Sequence, residues 1–368
     1  SVHALLVVSA AVFFLSGKPS EPKAGAAKAA GTPAPAATAA ATAPPATVAK
    51  SEEPAKPAQP DKKPEGQAAA TPLDRARELE AKQDFVGALG VYAEILARDP
   101  QNADARKHAE NAIARLEEKP EAAAANPRLM DTLRGLADAK LGRACMFLGI
   151  LLRTTDPKES LSLLKVAAAQ GDRRAMVLAG QMIAGSKGVS QADPVEAATW
   201  FKKAAEQGDP EGMLLYGECL LEERGVAQDE VEAARLFSSA SALGEVRAKS
   251  KLADLYRRGR GVPEKDLPMA FRLYQEAANQ GLLEAQGNLG VMIMNGETVP
   301  PDPAKAVRLW KDGAEKGDPI CMFFYAMSLE GGAVGAPDEP AATEWYRKAA
   351  ALKNPAAINW CAQKGVNF

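Results

Sequence analysis

Histidine, the commonest general base near neutral pH, occurs only twice in these 368 residues, as His3 and His108. Neither falls in the long repeated region that begins near Asn126, so no Ser/His/Asp or Cys/His set can be assembled there. The four cysteines, Cys145, Cys219, Cys321 and Cys361, form no CxxC pair and share no recurring spacing, which excludes a zinc knuckle or a disulfide ladder. They read as small buried thiols in helix interfaces. The G-x-G of Gly259 and Gly261 follows no predicted strand and is not a phosphate cradle. Carboxylates such as Glu222 and Glu223 read as solvated surface charge. The expectation is a protein with no catalytic residue, no cofactor and no metal site. A formal charge of −2 gives no reason to invoke nucleic acid.

What the residues do show is periodicity. From Asp193, steps of four reach Ala197 and Phe201, after which come Ala204, Ala205 and Gly208. The same frame fits from Asp156, Asp229, Asp266, Asp302 and Asp338, with Lys353 in the last place where glycine is expected. Each position has a physical task. The aspartate caps a helix start by accepting bonds from orphan backbone N–H groups, and Pro157, Pro194 and Pro303 directly after it preset the first turn. Alanine, ring and alanine make one apolar stripe, and the glycine stops the helix. A second stripe begins four residues past each glycine, as in Gly212, Tyr216 and Gly217 or Ala285, Leu289 and Gly290. Each unit is therefore two antiparallel helices, A then B. The loop between them varies in length, whereas the step from the capping aspartate to the next A helix is fixed at nineteen residues. A stacked solenoid permits variation on one edge while its helix interfaces keep register.

The combined pattern A-x3-L-G, G-x-G-V, D-x3-A-x3-aromatic-x2-A-A-x2-G resembles the Sel-one-like repeat, a longer-looped relative of the tetratricopeptide repeat. RRGRGVPEKDLPMAFRLYQEAANQG, Arg257 to Gly281, shows most of it. The likeness runs from about Asn126 to Phe368 and departs from the pattern in the shortened first loop and in the sixth unit. Upstream, Leu79, Gly87, Ala88, Tyr92, Leu96, Asp99 and Pro100 resemble one and a half tetratricopeptide units, and Lys119 to Pro127 reads as a break or short linker. The resemblance implies an all-α solenoid of stacked antiparallel helix pairs winding as a right-handed superhelix, with the A helices on its concave side. Some relatives carry regular cysteine pairs and are named for binding β-lactams. Here only Cys219 falls where such a ladder places one, without its partner.

The first residues differ in character. ALLVVSAAVFFL, Ala4 to Leu15, is apolar and uncharged, and suits a signal-peptide core or the tail of a longer span. Lys18 to about Ala70 is rich in Ala, Pro and Lys and lacks aromatics, so it cannot bury enough apolar surface to offset its ordering entropy. The expected organisation is a hydrophobic segment at 1–17, a disordered linker at 18–70, tetratricopeptide-like helices at 71–119 and a solenoid at 126–368, with about six helix pairs plus a terminal helix.

With no chemistry in the repeats, function moves to the surface. Taking the A helices as the concave side, the positions one before and two, six and nine after the first small residue face outward. They change from charged to apolar toward the C-terminus. The expected partner-binding residues are Arg247, Asp254, Arg257, Val291, Met294, Ile320, Phe323 and Met327. An apolar, methionine-containing strip suits an extended or helical peptide. The competing expectation is that these residues pack against each other. The sequence thus points to a non-catalytic interaction scaffold of a bacterial cell envelope, anchored in the inner membrane with periplasmic repeats, or secreted if the apolar segment is cleaved. The alternatives are a weak hydrolase or ligand-binding protein acting on a cell-wall-derived compound, and a structural spacer.

Overall fold

The structure is a computed structural model that describes residues 71–188 and 191–368. The apolar segment at 1–17 and the linker at 18–70 lie outside the described residues. Among the described residues there are eighteen helices and no strand. An N-terminal group holds α1 (Pro72–Ala81), α2 (Phe85–Arg98), α3 (Ala103–Leu116), the short α4 (Pro120–Ala124) and α5 (Pro127–Asp138). Six pairs follow: α6 (Gly142–Leu152) with α7 (Pro157–Ala169), α8 (Arg173–Ala184) with α9 (Pro194–Glu206), and α10 (Pro210–Glu222) with α11 (Glu230–Ala242). The remaining three are α12 (Val246–Arg258) with α13 (Leu267–Asn279), α14 (Leu283–Asn295) with α15 (Pro303–Glu315), and α16 (Pro319–Glu330) with α17 (Glu339–Ala351). A terminal helix, α18 (Pro355–Lys364), packs on α17. Each helix packs chiefly on its neighbours in sequence, which is the layout of an α-solenoid.

The helix boundaries follow from the repeated residues. Every one of the six aspartates is an N-cap whose carboxylate accepts from a backbone N–H three residues on, as Asp193 does from Glu196 at 2.9 Å and Asp266 from Met269 at 2.8 Å. A cap of this kind is worth about 1 kcal/mol. The closing glycines sit at φ values of 81° to 95°, the left-handed region that lets a helix end turn into the next. Lys353 takes the same conformation at φ 63° without the glycine.

Packing between A and B is a ring against a missing side chain. Phe201, Phe237, Tyr274, Trp310 and Tyr346 are all buried, one per B helix from α9 to α17. A Cβ placed on Gly180, Gly217 or Gly290 would come within 2.6 Å of Phe201 or Phe237, or 2.3 Å of Trp310, so only glycine lets these rings seat. Where the ring is tyrosine, alanine stands opposite at Ala253 and Ala326, and the hydroxyl reaches an acid on the A helix.

Consecutive units are also joined through the A–B loops. A Cβ on Gly188, Gly225 or Gly261 would lie 2.0–2.2 Å from the carbonyl oxygen of Pro157, Pro194 or Glu230, the first residue of the preceding B helix. All three glycines have positive φ as well. The loop glycine is thus a backbone-on-backbone contact between one unit and the next.

The segment Lys119–Pro127, which the sequence reads as a break or short linker, carries the short helix α4. Ala123 is buried, and one apolar core runs through from Ala76 to Leu152. Toward the other end the core becomes aromatic. Trp310 stacks on Phe324 with centroids 5.3 Å apart, Phe323 meets Tyr346 edge-on at 5.6 Å, and Tyr346 stacks on Trp360 at 4.0 Å.

Candidate functional site

α12 differs from its counterparts because it carries Arg247, Lys249, Lys251, Arg257 and Arg258 on thirteen residues. Its helical period puts Arg247, Lys251 and Asp254 on one face with Ser250. The neighbouring A helices supply acids. Glu218 on α10 has a side chain only 14% exposed and stands among three cations: Oε1 is 3.7 Å from Arg247 Nη2 and 3.8 Å from Lys251 Nζ. Its Oε2 is 3.7 Å from Arg224 Nη2 in the loop after α10. Lys251 Nζ also lies 3.5 Å from Glu284 on α14. Burial pushes the Lys251 ammonium down, but Glu284 and Glu218 outweigh it and hold its pKa above the ordinary lysine value.

Beside this cluster sit two tighter pairs. Arg257 forks onto Glu297, Nε to Oε2 at 2.9 Å and Nη2 to Oε1 at 2.6 Å, with Asn295 Nδ2 donating to the same carboxylate at 3.1 Å. Burial raises the Glu297 carboxyl, yet these bonds prevail and leave it below its usual range. Tyr274 donates its hydroxyl to Asp254, whose carboxyl burial pushes up despite that bond. The two acids are therefore displaced in opposite directions, one by its partner and one by lost solvent.

The structure divides the eight expected partner-binding residues. Val291, Met294, Phe323 and Met327 are core residues, none more than 7% exposed, and Phe323 is enclosed by Phe324 and Tyr346. They form no open apolar strip, because the rings of the last units fill the space that such a strip would need. Ile320 is half-buried against Gly287. Asp254 and Arg257 are engaged inside the fold by Tyr274 and Glu297. Arg247 alone stays exposed, and it joins Glu218, Arg224 and Lys251. Of these three, sequence reasoning missed Arg224 and Lys251 as members of a site. Arg224 occupies the variable position of G-x-G-V, and Lys251 lies between the counted outward positions, so no repeat-based signal marked either.

Other reactive side chains are occupied or enclosed. His108 Nδ1 is 3.1 Å from Glu80 Oε2, in a pair stacked on Tyr92. All four cysteines are buried and unpaired, and burial pushes the Cys145 thiol up to about 11. Among the described residues no group of His, Cys, Asp or Glu is arranged to hold a metal ion. A cavity of about 550 Å³ lies at the junction of α3, α5 and α7, lined by Pro100, Gln101, Arg106, Asp138, Ala139, Lys140 and Gln170. Arg106 spans it, donating to the carbonyls of Pro100 and Ala139 at 2.6 and 2.9 Å. Its lining holds a single acid and none of the displaced carboxylates.

The model of the Sel1 repeat matches six times without a gap, at residues 135–172, 173–209, 210–245, 246–282, 283–318 and 319–354. The chain belongs to the Sel1-repeat family. Each Sel1 match holds one A–B pair, so the family phase agrees with the phase read from the capping aspartates. Among solved structures, the chain is similar to a protective antigen of uropathogenic Escherichia coli strains with an SLR fold. Identity is 26% and the TM-score 0.55, over 79% of this chain and 58% of that one. The present chain thus spans less than two thirds of that relative. It also resembles in fold a Sel1 repeat protein from Oxalobacter formigenes, with 21% identity, a TM-score of 0.55, and 76% of this chain and 96% of that one covered. Sel1-repeat proteins are generally protein–protein interaction scaffolds and typically not enzymes.

Proposed function

We propose that this Sel1-repeat chain is a non-catalytic scaffold of a bacterial cell envelope that docks a segment of a partner protein on the A-helix face around α12. The observation that carries the reading is the Arg224–Glu218–Arg247–Lys251 cluster. Charged side chains from two A helices and a loop are held beside one another, yet the two arginines remain open to solvent and Lys251 partly so. Such preorganised, partly desolvated charges suit recognition because little entropy is lost when a partner orders them. The A-helix face is taken as concave, by analogy with tetratricopeptide stacks.

A photo-crosslinking residue at position 247, compared with one at the exposed Val231 on α11, tests this in native cells. Adducts at 247 that vanish on charge reversal of Lys251 are expected. Equal adducts at both positions, or none at 247, would rule the docking face out. The envelope location draws support from the apolar run Ala4 to Leu15. Recovery of the full chain in the cytosolic fraction would overturn that part alone.

A further inference from the structure

Resting on the docking reading, we infer that Arg224, Arg247 and Lys251 form a receptor for an acidic peptide segment, one whose carboxylates are separated by neutral residues. Three cations surround one carboxylate, and their exposures are ordered: Arg247 is 49% and Arg224 48% exposed, Lys251 29%, Glu218 14%. The acid lies beneath and the cations above it. At 3.7–3.8 Å the contacts to Glu218 are longer than hydrogen bonds, so they position the cations electrostatically without using up their N–H donors. Arg247 has no side-chain hydrogen bond among the described residues and keeps its five donors for a ligand. Below, Ser250 is 1% exposed and its hydroxyl has no partner, on the same helix face as Arg247 and Lys251.

The surroundings select the type of anion. Glu222 lies 3.0 Å from Arg224, Glu284 lies 3.5 Å from Lys251, and Glu211 stands two helix turns from Glu218 on the exposed side. A continuous polyanion laid across the three cations would run against these acids, whereas single carboxylates spaced along a peptide meet a cation and avoid them. The alternation of sign along the face favours a segment of alternating acidic and neutral residues over a nucleic acid or a polyanionic glycan.

The test is fluorescence anisotropy of the full chain with a labelled peptide of roughly a dozen residues in which glutamate alternates with serine. A glutamine-for-glutamate peptide and a single-stranded oligonucleotide of similar length serve as the other probes. The glutamate peptide is expected to bind at least about tenfold more tightly than either, and to weaken as salt rises and screens the contact. Arg247→Glu with Lys251→Glu should reduce its affinity by about tenfold or more. Arg224→Glu, a change in an exposed loop, provides a second variant whose fold is not at risk and should weaken binding in the same direction. Glu218→Gln, which removes an acid and no cation, should weaken binding far less than either charge reversal. Equal binding of the glutamine peptide, tighter binding of the oligonucleotide, or indifference to both charge reversals would overturn the inference. Should the glutamine peptide bind equally and still crosslink at position 247, the selectivity for acid fails while the docking face stands.

Discussion

At the four repeat positions where α12 carries Arg247, Ser250, Asp254 and Arg257, α16 carries Ile320, Phe323, Met327 and Glu330. The backbone frame is the same, with a capping residue, small residues against a ring, and a closing turn. On α12 the charges are held by acids from three other helices or loops, and on α16 Phe323 is covered by Tyr346 and Phe324 while Met327 is buried in the core. The fold therefore fixes the stripe that faces the B helix and leaves these four positions free, provided each charged group finds a partner and each apolar one finds cover. One constraint links the two units. Where the B-helix ring is tyrosine, its hydroxyl must end on an acid, Asp254 for Tyr274 and Glu330 for Tyr346.

The comparison breaks most sharply in the aromatic half. Trp310→Ala removes a fully buried ring that stacks on Phe324 and donates its indole N–H to the Gly287 carbonyl, and about 3–5 kcal/mol of stability should go with it in urea unfolding. A loss under about 1 kcal/mol would mean that the stack is not the core it looks to be. In the charged half the largest effect belongs to Arg257→Ala, which strands Glu297 and should lower stability by roughly 2–3 kcal/mol. Gly225→Ala forces a left-handed alanine against the Pro194 carbonyl and should cost at least about 1 kcal/mol, read from the shift in urea midpoint.

Smaller, and opposite in sign, are the pH effects of the two displaced acids. Burial raises Asp254, so the native chain keeps that proton at a pH where the unfolded chain has lost it. Stability from this group is lost as pH rises from its ordinary value of 3.8 through the native one, and Asp254→Asn should flatten that fall. Glu297 is lowered on balance, so its contribution is present above the ordinary value of 4.5 and lost as pH falls through the native one. Glu297→Gln should remove that acid-side loss. Melting temperatures across pH for both variants check the two signs. Arg247→Ala, an exposed residue with one long contact, should change stability by less than about 0.5 kcal/mol. Its effect belongs to binding, which separates a recognition residue from its structural neighbours.

The capping aspartates, the rings and the closing glycines were legible in the sequence because each acts within one helix or one short turn, where spacing determines geometry. Asp193 and Gly208 do what their places in the repeat imply. The cover over Phe323 and Met327 was not legible in the same way. Whether an A-helix residue faces solvent depends on the ring of the same unit's B helix and on the terminal helix α18, as with Tyr346 and Trp360, and the period of one helix does not carry that information. The Arg224 cluster was hidden for a related reason. Its members come from a loop and two helices whose closeness depends on the stacking of units, not on any single spacing.

The glycine joint between units has a further consequence. Because Gly188, Gly225 and Gly261 rest on main-chain oxygens, the receiving residue is Pro157, Pro194 or Glu230 without distinction. A joint that ignores side-chain identity leaves the loop contact indifferent to which residue opens the neighbouring B helix. The ring-and-gap contacts at Gly180, Gly217 and Gly290 and the ion pairs from α12 to its neighbours do the opposite and tie particular side chains to particular units.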